Sequence, residues 1–446
     1  MKTSMKIVAA AVLAAATCSS AMAAGFMLTE QSVTGLGRAY AGAGIVGDDN
    51  SAVWYNPAGM TLLSGTQFQM GGVFVTLDFP LETTDGSYTD NGRKYSVPIP
   101  HMFFTSQLND DMWFGFGLTV PYGMSTEYKR NSPLNALGMN AEVKVFDLNP
   151  NLAWKINDKV SFGAGVSLQY ATAQFEAANP QSRQLMGDSG YYGRLNVDSL
   201  AWGFNMGLMW SPVETVRFGL AYRSAINHHA EGKYRVGAGG SLFGNADWRE
   251  HNVGHSNNAT CDLTAPQTVL LTGTWEVTEV LRLSALIRWS DWSSFKSLDI
   301  KGGSDARGGG GYPAVGAGGR PTLASGAALV SQGSTVENRW NDTWLFTLGA
   351  DYKINDEWTV RGGVGYENGA VDDEYRTAVI PDADRLWLSC GATWSYDTNW
   401  KFDLGFTYLH GMGTPGLYDP NNRTKKVAEF KKLDAYLVGA QFTYKF

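Results

Sequence analysis

Cysteine, charge and long apolar runs are all scarce in this chain. Three cysteines occur in 446 residues, and Cys18 falls in a leader-like N-terminus. At most one disulfide, Cys261–Cys390, is then available, and disulfides do not define the fold. Charged residues make up 17% and the formal net charge is −7, an acidic balance that argues against nucleic acid as a partner. Beyond the N-terminus no uninterrupted apolar stretch reaches the roughly 20 residues a transmembrane helix needs. Chemical motifs are equally sparse. There is no G-x-S-x-G nucleophile motif, and the Gly-rich stretch 302–319 lacks the Lys-Ser/Thr of a phosphate loop. No cofactor is expected. His251, His255 and Cys261 have ligand-like spacing, but the surrounding HNVGHSNNATC reads as a polar loop, and no metal site is expected either.

What is plentiful is aromatic side chains, 13% of the chain, and glycine, 53 residues, at a mean hydropathy of only −0.20. Lys2 and Lys6 flank the apolar run Ile7–Ala16, followed by Ala21-Met22-Ala23. This is the pattern of an export signal over 1–23, with a mature chain from Ala24. Further on, WKFDLGFTYL at 400–409 sets Trp400, Phe402, Leu404, Phe406 and Tyr408 on one side of a strand. Lys401, Asp403, Gly405 and Thr407 fall on the other. The same alternation runs through 160–170, 216–223, 281–289 and 358–366. Short Asn/Asp/Pro turns (LNDD at 108, INDK at 156, SPVE at 211, INDE at 355, YDTN at 396) close these segments at one end. Longer connections join them at the other, over 80–93, 121–141, 176–194, 236–258, 301–332, 369–384 and 411–427.

Short turns on one side and long loops on the other are the plan of an outer-membrane barrel. The expected fold is all-β and transmembrane, with about fourteen antiparallel strands over 66–446. The aromatic faces should meet lipid, because the opposite register would put Lys or Arg into hydrocarbon at ~2–4 kcal/mol each near the midplane. The chain ends VGAQFTYKF, a strand finishing on an aromatic, which resembles the assembly signal of such barrels. Residues 24–65 do not alternate and read as a plug of short helices inside the barrel.

AGF after the cleavage site, GLGRAYAGAG and DDNSAVWYNPAG resemble the start of the outer-membrane long-chain fatty acid and hydrophobic-compound transporter family (FadL-like). WSDWSSF, IPDADRLWLSCG and FTYLHG are similar to later family segments, in order along the mature chain. The resemblance implies a monomeric fourteen-stranded barrel of the Gram-negative outer membrane, placed there by the barrel-assembly machinery among lipids and lipopolysaccharide. It implies a hydrophobic substrate caught among the outer loops, moved past an N-terminal hatch and released sideways through the wall. By that resemblance Phe26 and Leu28 would border the inner substrate site, and Asn56, Pro57 and Ala58 would form the hatch motif. Gly115, Gly117, Pro121 and Gly123 are candidates for the wall kink, since Pro and Gly interrupt ladder pairing.

One departure bears on the substrate. Where family members carry basic residues for a carboxylate, this chain has Asn341 and Ala177, with Arg339 or Arg183 as candidate substitutes. Fatty acid is the favoured substrate and neutral aromatic or aliphatic hydrocarbon the alternative. A barrel lipase or protease is the alternative of another class. His228-His229 and His410 are expected at the interfaces, packing or hydrogen bonding.

Overall fold

The computed structural model describes residues 25–91, 96–129, 132–178, 191–238, 252–308, 312–315, 321–324, 334–419 and 422–446. The leader and Arg183 lie outside the described residues. Fourteen antiparallel wall strands follow one another around a closed barrel. They are β1 Thr66–Asp78, β2 Ser96–Gln107, β3 Met112–Glu127, β4 Asn140–Asn157, β5 Val160–Ala178 and β6 Tyr191–Val213. Four interrupted strands come next: β7 (Val216–Arg223, Ile226–Ala238), β8 (Asn252–Ala265, Thr268–Glu276), β9 (Leu281–Ser290, Ser297–Lys301) and β10 (Ser334–Glu337, Thr343–Lys353). The circuit ends with β11 Trp358–Glu367, β12 Arg385–Ser395, β13 Trp400–Gly411 and β14 Asp434–Lys445. β14 returns to β1 along a ladder from Gln67–Lys445 to Asp78–Asp434. Among the described residues no helix is long and apolar enough to cross a membrane.

The wall is inside out. In β13, Trp400, Phe402, Leu404 and Phe406 are exposed while Asp403, Gly405 and Thr407 are buried. Exposed Trp154, Trp210, Trp275, Trp358, Trp394 and Trp400 gather near the short turns, where amphipathic rings suit the boundary between hydrocarbon and water.

Several strands run further than their sequence pattern implied. β3 continues through Glu127 and β8 begins at Asn252, inside stretches expected to be loops. From Thr119 to Met124 both faces of β3 are buried, so the period of two disappears from the sequence although the backbone remains a strand. The expectation of an interfacial place for His228-His229 is corrected for His228 alone. His229 is exposed and bonds Asp262 at 2.5 Å, whereas His228 is only 2% exposed and turns inward. Cys261 is buried, Cys390 is exposed, and both are free thiols.

Residues 25–63 fill the lumen. Two four-residue helices, α1 Val33–Leu36 and α2 Ala52–Tyr55, and the 3-10 turn Pro57–Leu62 are nearly all buried. This segment is fastened to the wall all round: Val33 N–H to Gln441 at 2.8 Å, Thr407 Oγ1 to the Leu36 carbonyl at 3.1 Å, and Gly42 N–H to the Ala285 carbonyl at 3.2 Å. Toward the short-turn end a charge network locks it. Arg38 bonds Asp48 at 2.5 Å and Asp351 at 3.3 Å, and Arg361 bridges Asp351 at 3.0 Å and Asp403 at 3.4 Å. Charges this deeply buried hold position because each is paired.

Candidate functional site: a seam in the wall beside a lumen cavity

The ladder between β2 and β3 runs from Gln107–Trp113 to Met102–Leu118 and, among the described residues, goes no further. The reason is legible in the backbone. Gln107 N–H bonds Gly65 on the β1 side and Leu108 N–H bonds Met112 on the β3 side. In the continuous register of β2 the even-numbered residues therefore aim their N–H groups at β3. Two of these are Pro98 and Pro100, which have no N–H. Across the gap, β3 bulges. Its register against β4 jumps between Thr119–Asp147 and Tyr122–Val145, and the skipped residues are Val120 and Pro121.

The freed edge of β3 is taken by the N-terminal segment. Leu28 N–H bonds the Pro121 carbonyl at 2.8 Å and Gly123 N–H bonds the Phe26 carbonyl at 2.9 Å, with Met27 opposite Tyr122. The Gln31 amide brackets Val120, donating to its carbonyl at 2.7 Å and accepting its N–H at 3.3 Å. A Cβ on Gly123 would stand 2.9 Å from Leu28 Cδ1, so a larger residue there would push the Leu28 side chain aside. Gly115 and Gly117 lie in the paired part of β3, facing Met60 and Phe103. Of the four candidates, only Pro121 and Gly123 sit at the interruption.

Beside the seam is a cavity of about 60 Å³, part of it open to the outside. Met27, Leu28, Tyr122, Leu270, Leu286 and Leu345 give it an apolar lining, and Pro57 borders it as well. Phe26 is adjacent but stands in a closed aromatic cluster, its ring 4.8 Å from Trp292 and 5.9 Å from Trp340. Asn56 caps the following turn through Ala58 N–H at 3.1 Å and bonds the Leu208 carbonyl at 3.1 Å. Gly207 leaves room for it: a Cβ there would fall 2.0 Å from Asn56 Oδ1.

Two arginines reach this cavity, and they differ. Arg288 bonds Glu367 at 2.7 Å and Thr29 at 2.7 Å. Arg223 donates to Ser167 at 2.5 Å and the Trp54 carbonyl at 3.0 Å, and lies 3.5 Å over the Trp54 ring. Its carboxylate neighbour, Asp147, is 4.0 Å away. Arg288 meets its carboxylate at contact distance, while Arg223, which also donates to Asn149 at 3.3 Å, has its own only at the 4.0 Å limit of an ion pair. Neither was singled out from sequence, although both lie on the polar side of alternating strands, where a lumen charge far from a turn is the available signal. Arg339 is exposed and pairs with Glu337 at 3.5 Å, Asn341 and Ala177 are exposed, and none of the three lines the cavity. Among the described residues no cluster of His, Cys, Asp and Glu could hold a metal ion; His251 lies outside them.

A closed fourteen-stranded barrel with an apolar outer band and a filled lumen defines an outer-membrane protein that crosses the bilayer many times. The chain belongs to the family of outer membrane protein transport proteins (OMPP1/FadL/TodX), whose profile matches residues 13–446. It is 26% identical over 474 residues to the long-chain fatty acid transport protein of Escherichia coli K12, covering 98% of each chain. It is 27% identical over 453 residues to outer membrane protein P1 of Haemophilus influenzae, covering 92% of this chain and 90% of that one. A crystal structure of a Pseudomonas aeruginosa FadL homologue shares the fold at a TM-score of 0.78 and 22% identity, over 95% of this chain and all 100% of that one. The toluene transporter TodX of P. putida does so at 0.66 and 17%, over 89% and 94%.

Proposed function

We propose that the protein takes up long-chain fatty acids passively across the outer membrane. The substrate is caught among the long outer loops, enters the lumen cavity and leaves sideways through the β2–β3 seam when residues 26–31 release the edge of β3. The observation that carries this reading is the seam itself, a stretch of wall that is unpaired between β2 and β3 and is covered, among the described residues, by the N-terminal segment, beside a largely apolar cavity. Each methylene kept out of water is worth ~0.8 kcal/mol, so a route that stays apolar from cavity to bilayer spares an alkyl chain an aqueous passage. Residues 25–63 act as the hatch, with Asn56, Pro57 and Ala58 holding it to β6, and Arg223 is the group that meets a carboxylate. The protein works as a monomer set in lipid and lipopolysaccharide. The relatives bear the names of transport proteins and channels, and we read this chain as a transporter rather than an enzyme.

Uptake of a neutral hydrocarbon is the second reading, favoured by the Met27, Leu28, Leu270, Leu286 and Leu345 side chains lining the cavity. Both are tested in a Gram-negative host lacking its own fatty acid transporter, supplied with labelled oleate or labelled toluene. Saturable oleate uptake is the expected result, and toluene uptake without oleate uptake would shift the assignment to hydrocarbons. Removing the seam by Pro98→Val and Pro100→Val together with deletion of Pro121 should cut oleate uptake by about tenfold or more while the barrel still folds. Undiminished uptake in that variant would exclude sideways exit.

A further inference from the structure

A second, narrow cavity lies nearer the long-loop ends, about 10 Å³ in volume and so with room for about one small polar group, bordered by Phe175, Val197, Leu263, Leu298 and His228. Its lining is apolar apart from little more than the histidine. One thread of polar groups joins it to the first cavity. Arg223 faces Asp147 at 4.0 Å, Gln169 Nε2 donates to Asp147 Oδ2 at 2.7 Å, and Gln169 Oε1 lies 3.1 Å from His228 Nε2.

That thread assigns the tautomer. The carboxylate of Asp147 only accepts, so Gln169 presents its N–H₂ to Asp147 and its oxygen to the ring; His228 Nε2 therefore carries the proton. The neutral ring is left with a bare lone pair on Nδ1. That atom is buried and has no hydrogen-bond partner among the described residues. Buried polar atoms without a partner are uncommon and costly. An alkane or arene brings no donor to such an atom, whereas a head group with an O–H does. A carboxylic acid entering an apolar cavity favours its protonated, O–H-bearing form, because burial penalises the anion.

Resting on the uptake reading above, we propose that His228 determines specificity in this second cavity. Its Nδ1 accepts a hydrogen bond from the O–H of an alkyl chain's head group, a protonated carboxylic acid or an alcohol, as the chain passes toward Arg223. The role is selective: ligands without a donor pass unread.

The test compares labelled oleic acid, oleyl alcohol and methyl oleate taken up by cells expressing the full chain, wild type or His228→Leu. Folding is monitored by resistance of the unheated barrel to dodecyl sulfate. His228→Leu should lower acid and alcohol uptake about fivefold, the loss of one hydrogen bond, and leave the ester unchanged. His228→Asn, which keeps an acceptor, should restore much of the difference and carries the test if the Leu variant does not fold. All three ligands falling together, none changing, or the alcohol behaving like the ester would each overturn the proposal. Wild-type cells taking up none of the three would instead overturn the uptake reading itself.

Discussion

Between β13 and β14 the ladder is unbroken from Trp400–Tyr444 to His410–Asp434; between β2 and β3 it stops at Met102–Leu118. Both pairs are built from strands of similar length with aromatic residues in them. The difference lies in hydrogen-bond donors. β14 contains no proline, whereas β2 loses two N–H groups on the edge that faces β3 and β3 loses a third at its bulge. A wall is sealed or left open here by single atoms of backbone chemistry, not by hydrophobic pattern. The arginines repeat the lesson at the cavity, where Arg288 has a carboxylate at 2.7 Å and Arg223 has one at 4.0 Å.

The largest expected effect comes from removing what covers the seam. Deleting residues 25–63 should convert the filled barrel into a water-permeable pore, with single-channel conductance in planar bilayers rising from near background to that of an open channel of this strand number. Conductance at the intact protein's level would show that the segment does not occlude the lumen. Next, Arg223→Met should weaken oleate binding to the purified protein by roughly tenfold or more, as loss of a charged hydrogen bond does, and leave toluene binding unaltered; equal losses for both would remove Arg223 from head-group recognition. Arg288→Met should act the other way round. It takes the 2.7 Å bond from buried Glu367, which retains Arg385 at 3.2 Å, so thermal unfolding should show a cost of ~1.5–3 kcal/mol with oleate binding affected less than in Arg223→Met.

The smallest effect concerns pH. Glu30 lies in the N-terminal segment next to Gln31 and is 1% exposed, and burial pushes its carboxyl up from 4.5 to about 7. Between those values the docked segment holds a proton that the undocked one releases, so docking is strongest below about pH 4.5 and weakens as pH rises toward 7. Protection of the Leu28 amide, its exchange taken relative to the intrinsic rate at each pH, should accordingly fall across that window, and Glu30→Gln should flatten the profile. An unaltered slope in Glu30→Gln would assign the pH dependence to other groups.

The wall was readable in the sequence because a single physical rule, lipid outside and polar groups within, acts on every second residue of strands such as 400–409. The rule fails where both faces are covered. That is why 121–127 looked like loop although it is the part of β3 that grips the N-terminal segment. The candidate site was only partly legible for a related reason. Pro121 announces an interruption by its chemistry, but Gln169 of β5 reaches His228 of β7, two strands away, and through Asp147 also Arg223, and no local spacing relates it to them. Gln31 is more hidden still. It lies in a segment with no regular pattern, and its two bonds to Val120 exist only once β3 has bulged. Pro98 and Pro100 were in plain view, and their meaning depended on knowing which edge of β2 faces which neighbour.

The exposed margin of β2 can accept hydrogen bonds but has lost the ability to return them at two successive sites. A stray strand from a neighbouring barrel that tried to dock there would find half its ladder missing, which guards the margin against the edge-to-edge association that open sheets invite. A hydrocarbon tail needs no ladder and meets no such obstacle. The same two imino acids thus leave a margin that offers a second polypeptide little to hold.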